Sequence, residues 1–152
     1  MGFWAWLKAA ASVFGISLLP VLELKAAIPL GIAMGLPLWQ TFVIAVIGST
    51  LPSPFIFLLL RSFIVWCKKT RLGKKLADYI EHNIEKKSGR VRKYSLLGLF
   101  VFVAIPLPGT GVWTGSSIAT VLDLRLKHAL PVIFLGNCVA GILMLCLGII
   151  VL

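Results

Sequence analysis

The chain has 152 residues, 59% hydrophobic and only 13% charged, against roughly a quarter charged in soluble domains; with a mean hydropathy of +1.01, this excludes an ordinary soluble globular protein. Fifteen Lys and Arg against five Asp and Glu give a formal net charge of +10, and ten of those basic residues fall between Lys68 and Lys93 with long apolar runs on both sides. Charge concentrated in this way reads as the cytoplasmic loop of a small multi-pass protein of a prokaryotic inner membrane, and not as a nucleic-acid surface.

The first apolar segment, Phe3 to about Leu19, approaches the roughly 20 residues of a bilayer span and ends at Pro20. No positive charge precedes it, so a cleaved signal peptide is not expected. Trp6 stands where a myristoylation signal would want Ser or Thr, and Trp4 and Trp6 read as interfacial anchors. From Glu23 to Pro37 runs an apolar stretch that carries Glu23 and Lys25 and is bounded or broken by Pro20, Pro29 and Pro37. Such Pro- and Gly-broken, half-length segments suit re-entrant hairpins, whose freed backbone is satisfied by protein or by a water-filled cavity. Leu38 to Trp66 is a transmembrane helix kinked at Leu51-Pro52-Ser53-Pro54, with Arg61 near its end.

Between 68 and 93, Leu72, Leu76, Tyr79, Ile80 and Ile84 recur at helical spacing among charged residues, the pattern of an amphipathic surface helix. Its basic face either rests on anionic head groups or is a solvated loop that sets topology. His82 lies between Glu81 and Glu85, but nothing else converges there to bind a metal. A second break follows at Ile105-Pro106-Leu107-Pro108-Gly109-Thr110-Gly111, leading into Val112-Trp113-Thr114-Gly115-Ser116-Ser117. After Asp123, Arg125, Lys127 and His128, Ala129 to Leu152 reads as an uninterrupted apolar run and the last transmembrane helix. Cys67, Cys138 and Cys146 form no CxxC pair and read as small buried hydrophobes.

The halves echo one another: Ile28-Pro29-Leu30 and Gly31-x-x-x-Gly35 are answered by Ile105-Pro106-Leu107 and Gly111-x-x-x-Gly115. With the central loop inside, the two broken segments enter from opposite faces. The expectation is one all-α integral membrane domain, 1–152, with about three transmembrane helices and two re-entrant hairpins forming an inverted repeat. The repeats run about 21–66 and 95–152, and the cytoplasmic amphipathic helix separates them. Its binding site is expected where the broken segments meet near the midplane.

Glu23 and Lys25 are the most informative side chains, because a charge at membrane depth costs several kcal/mol on insertion scales, about 3 for each, and persists with a partner or a purpose. An i, i+2 pair does not share a helix face, so they pair directly only where the backbone is irregular; otherwise each meets the other repeat, or snorkels at a rim. Arg61 suits snorkelling or a substrate contact. Thr110, Thr114, Ser116, Ser117 and the exposed amides of Gly109 and Gly111 could cradle an anion at a half-helix N-terminus, or let helices pack closely. Trp113 could stack on a ligand or pack. No nucleophile with a base, phosphate-binding loop or zinc spacing appears, so neither catalysis nor a metal or other cofactor is expected.

The stretches Glu23-Leu24-Lys25-Ala26-Ala27-Ile28-Pro29-Leu30-Gly31 and Ile105 to Gly115 resemble the small multi-drug export protein family of bacterial and archaeal membranes, over nearly the whole chain. That family in turn resembles the DedA (SNARE-associated, or VTT-domain) superfamily, which implies paired re-entrant hairpins and movement of lipids, including a polyprenyl phosphate carrier. DedA proteins carry arginines around the Pro motif of the second hairpin; Val103 to Gly109 has none, which leaves Lys25 or Arg61 to supply the positive charge. Three functions stand as expectations. The first is a transporter or flippase for an anionic lipid phosphate, with Glu23, Lys25, Pro29, Arg61, Pro106, Pro108, Gly109, Thr110, Gly111, Trp113 and Thr114 at the site and Glu23 exchanging a proton. The others are an exporter of hydrophobic cations using Glu23, and a membrane scaffold. With so few helices in one chain, a homodimer is expected.

Overall fold

A computed structural model describes residues 2–71, 73–75, 78 and 90–151. Among them are seven principal helices and no strand: α1 (Phe3–Leu18), α2 (Glu23–Ala33), α3 (Leu38–Thr50), α4 (Ser53–Lys68), α5 (Arg90–Ala104), α6 (Val112–Val121) and α7 (Leu126–Val151). The five apolar positions expected to define the surface helix at 68–93 lie outside the described residues.

Leu38–Lys68 and Leu126–Ile150 are long and apolar enough to cross a bilayer, and most of each is exposed on the outside of the bundle. The first is broken where Pro52 and Pro54, which lack amide hydrogens, end α3 and start α4. Among the described residues two helices thus meet that length, where about three were expected. Helix α1, with 16 residues, is about 24 Å long, short of the roughly 30 Å hydrocarbon core. The outer surface carries exposed Leu59, Phe63, Trp66 and Ile150, while Ser17, Thr41, Ser49, Ser53, Ser116 and Asn137 are buried. This distribution of large apolar residues outside and small or polar residues inside suits a lipid-facing bundle packed by small side chains. The protein is a membrane protein.

Each broken segment is one arm of a helical hairpin and not a hairpin in itself. Helix α1 packs on α2, and α5 packs on α6; the tips are residues 19–22 and 105–111. Around the first hairpin, Val13, Leu24, Ala27, Ile28 and Ala45 form one core with Ala140 of α7. Around the second, Phe57, Leu99, Val103, Val112 and Ile133 form another. Helix α7 reaches both. Of the Gly-x-x-x-Gly residues, Gly31 and Gly115 are spent inside the chain: a Cβ on Gly31 would press on Thr41 and Val13, and one on Gly115 would stand 2.6 Å from Val103.

Helices α2 and α6 end in the same turn. In the first, the amide hydrogens of Met34, Gly35 and Leu36 donate to the carbonyls of Leu30, Ile32 and Gly31; in the second, those of Leu122, Asp123 and Leu124 donate to Ile118, Thr120 and Ala119. Gly35 and Asp123 are both left-handed, with φ of 76° and 50°, and Leu36 and Leu124 are both buried. This is the Schellman arrangement, repeated at a constant offset of 88 residues. The Ile-Pro-Leu echo has a different offset and is not the structural correspondence: Ile28–Leu30 lies within α2, whereas Ile105–Leu107 lies in the connection after α5. At the offset of 88, Glu23 corresponds to Gly111 and Lys25 to Trp113.

Candidate functional site

Glu23 is the first residue of α2. The entry into that helix is irregular, with φ of +76° at Val21 and +43° at Glu23, a region in which side-chain-bearing residues are uncommon and cost about 1–3 kcal/mol. The two side chains nonetheless approach across the i, i+2 spacing, by their own reach: Lys25 Nζ lies 3.8 Å from Glu23 Oε2. Their direct ion pairing answers the question that their spacing left open. At that distance the pairing is coulombic, without a hydrogen bond.

The Glu23 side chain is 2% exposed and crosses to the second hairpin tip, where the Trp113 amide donates to Oε1 at 3.0 Å. Helix α6 has no side-chain cap of its own at Gly111; a residue 90 positions away supplies one. The carboxylate thus stands in the first turn of α2 and at the N-terminus of α6, and both helix ends favour negative charge. Oε2 is buried and accepts no hydrogen bond.

The second tip is shaped to admit this group. The Thr110 hydroxyl gathers the connection by bonding to the Ile105 and Leu107 carbonyls at 2.6 and 2.8 Å, and it accepts from the Leu107 amide at 3.1 Å. The Lys25 ammonium donates to the Thr110 carbonyl. Gly111 adopts φ of +129° and ψ of −164°, backbone geometry open essentially to glycine alone. A Cβ there would overlap the carboxyl group, standing 2.7 Å from its carbon. Trp113 completes the junction by donating from Nε1 to the Leu18 carbonyl at 3.2 Å, which ties the tip of the first hairpin to α6.

Of the residues singled out from sequence, Glu23, Lys25, Thr110, Gly111 and Trp113 come together. Pro29 sits nearly two turns along α2, where it can make no amide bond to the Lys25 carbonyl. Pro106, Pro108 and Gly109 shape the connection, Gly109 with φ of +84°. Thr114 is exposed on α6. Arg61 is elsewhere, 3.8 Å from Asp123, with both side chains exposed. Ser116 pairs with Ser53 at 2.7 Å and joins α6 to α4, whereas Ser117 donates back to the Trp113 carbonyl at 2.9 Å within α6. Among the described residues no group of three or more His, Cys, Asp or Glu is placed to hold a metal.

Residues 23–143, which begin at Glu23 itself, match the family described as "Putative small multi-drug export protein". The chain belongs to that family. No curated protein and no solved structure matches it. The family name is that of an export protein, a transporter and not an enzyme. Helix α1 lies outside the matched range, although Leu18 contributes an acceptor to the junction.

Two further groups stand outside the residues singled out, the Leu18 carbonyl at the junction and Asn137 in a separate polar seam. The Leu18 carbonyl is a backbone group and leaves no sequence signal. Asn137 interrupts the last apolar run, which is therefore not continuous: it is buried and donates from Nδ2 to the Ser49 and Thr50 hydroxyls at 2.7 and 2.9 Å. A single amide amid apolar residues was its available signal.

Proposed function

We propose that this small multi-drug export family member moves an anionic amphiphile, a lipid phosphate, across the bilayer. The observation that carries the reading is the Glu23 carboxylate held at the α6 N-terminus beside the Lys25 ammonium. A place built from amide donors and an ammonium to hold a carboxylate has the chemistry to hold a phosphate. Lys25 retains 14% exposure against 2% for Glu23, so the ammonium is the edge that a head group meets first. Exposed Val21, Leu22, Ile105 and Leu107 surround the tips and leave an apolar margin for acyl chains that stay in lipid.

The two hairpins act as halves of an inverted repeat, a reading supported by the identical turns closing α2 and α6. The Arg61–Asp123 pair joins the middle of α4 to the α6–α7 turn, in keeping with a cytoplasmic side towards which Arg61, Arg125, Lys127 and the basic loop lie. The working unit is read as a homodimer.

The test uses proteoliposomes containing labelled polyprenyl phosphate, or loaded with a hydrophobic cation, with and without a pH gradient. Leaflet exchange of the phosphate lipid by the wild-type protein supports the reading. Cation efflux without lipid exchange supports a second reading, export of hydrophobic cations by protonation and deprotonation of Glu23. That alternative is favoured by the unpartnered Oε2 and by the family name, and it predicts that Glu23→Gln abolishes both efflux and drug resistance.

A further inference from the structure

The anion place between the hairpins is already filled, and the group that fills it belongs to the chain. One oxygen of Glu23 takes the Trp113 amide, while the other is buried without a hydrogen bond. The ammonium nearest that second oxygen is too far to donate to it and turns to the Thr110 carbonyl instead. A single planar carboxylate therefore takes an amide of the helix end but no hydrogen bond from the ammonium. A tetrahedral phosphate monoester, with three terminal oxygens, could accept from the α6 N-terminus and from Lys25 together. The positive φ at Val21 and Glu23 adds that the chain enters α2 in an arrangement that carries a backbone cost.

We infer that Glu23 is an internal stand-in for the transported anion: the α6 N-terminus and Lys25 form a phosphate-binding place that Glu23 keeps closed, and a phosphate head group enters by displacing the Glu23 carboxylate. This rests on the transport reading above and specifies how its site is regulated. The exchange keeps an anion at the α6 N-terminus throughout, so neither the helix end nor Lys25 is left bare. Protonation of Glu23 weakens its hold on the amide and favours exchange. Lys25 is the charged side chain facing Glu23. Helix α6, α3 and the 105–111 connection carry no titratable side chain, Lys8 of α1 is 15 residues away, and α7 contributes Lys127, His128, Cys138 and Cys146.

The full-length protein in a non-ionic maltoside detergent is titrated calorimetrically with inorganic phosphate and, separately, with dodecyl phosphate. The proteins compared are wild type, Glu23→Ala, Glu23→Gln, Lys25→Met and the double variant Glu23→Ala/Lys25→Met. Removing the competitor is expected to tighten dodecyl phosphate binding by about tenfold or more in Glu23→Ala, equivalent to about 1.4 kcal/mol. The gain is expected to be smaller in Glu23→Gln, whose amide oxygen still accepts from Trp113, and to disappear in the double variant. Tighter binding of dodecyl phosphate alone identifies a lipid head group as the ligand, and equal tightening of inorganic phosphate identifies the free anion. Should Glu23→Ala not fold, Glu23→Gln alone carries the comparison.

Equal affinity in wild type and the Glu23 variants, a gain that survives loss of Lys25, or no binding by any protein would overturn the inference. Lipid exchange that depends on Lys25 without tighter binding in the Glu23 variants removes the displacement step and leaves the transport reading standing. Tighter binding without any lipid movement does the reverse.

Discussion

The two hairpins share a helix of similar length and an identical closing turn, yet they divide the chemistry unequally. At corresponding positions the first carries Glu23 and Lys25, whereas the second carries Gly111 and Trp113. One offers charge and the other offers backbone. Two helix N-termini with a carboxylate each would bring like charges together in a low-dielectric interior, which is strongly unfavourable. One carboxylate shared between two helix ends avoids this, provided the partner position has no side chain. Gly111 is therefore as much a part of the site as Glu23.

The largest effect is expected from making the hairpins more alike. Gly111→Ala places a Cβ in the carboxyl group and forces a backbone conformation that alanine resists. It should cost about 2–4 kcal/mol, read as a loss of roughly 5–15 °C in Tm in detergent, and abolish transport. A Tm within about 2 °C of wild type would show that the carboxylate does not cap α6.

The tip site also differs from the polar seam near the α3–α4 break. There Asn137 bonds to Ser49 and Thr50, and Ser53 bonds to Ser116. All are neutral and each has a partner, so the seam fixes helix packing. Asn137→Ala should cost about 1 kcal/mol, since hydrogen bonds within membranes average about 0.6 kcal/mol each, and should lower Tm by roughly 2–4 °C with little change in transport per folded molecule. Loss of transport in a folded Asn137→Ala protein would move the seam into the translocation path.

The closing turns allow a smaller test. Gly35 and Asp123 share the left-handed conformation, so Gly35→Ala, whose Cβ meets nothing within 4 Å, isolates the backbone cost. About 1 kcal/mol is expected, and thermal unfolding measures it. Smallest of all is Arg61→Ala. Its pair with Asp123 is exposed at both ends, and such pairs contribute little, so Tm should stay within about 1 °C of wild type. A transport defect at unchanged Tm would restore Arg61 as a substrate contact.

Much of this was legible in the sequence because membranes make composition informative. The long apolar segments, the two Pro- and Gly-broken stretches and the costly pair at Glu23 and Lys25 can each be read locally. The convergence of Glu23 with Thr110, Gly111 and Trp113 was foreseen only as a meeting of broken segments. The pairing itself depends on how two long side chains reach across an i, i+2 spacing, which their residue types do not announce. The Ile-Pro-Leu echo misled because proline marks a break without fixing its register: Pro29 is accommodated inside a helix, while Pro106 lies in a connection. The 88-residue correspondence is carried by backbone hydrogen bonds in turns whose sequences, Met34-Gly35-Leu36 and Leu122-Asp123-Leu124, share one residue type. Helix α1 resembled a span because its composition is apolar; its role as a hairpin arm follows from packing on α2 and from the Leu18 carbonyl, both long-range facts.

If an ammonium at the meeting of the hairpins holds the transported anion, leaflet exchange of labelled polyprenyl phosphate must depend on Lys25, and Lys25→Ala and Lys25→Arg beside wild type decide the matter. The account predicts a loss of about tenfold or more in Lys25→Ala, the size expected for removing a charge-assisted hydrogen bond, with substantial activity kept in Lys25→Arg. Exchange by a folded Lys25→Ala protein at the wild-type rate would contradict it.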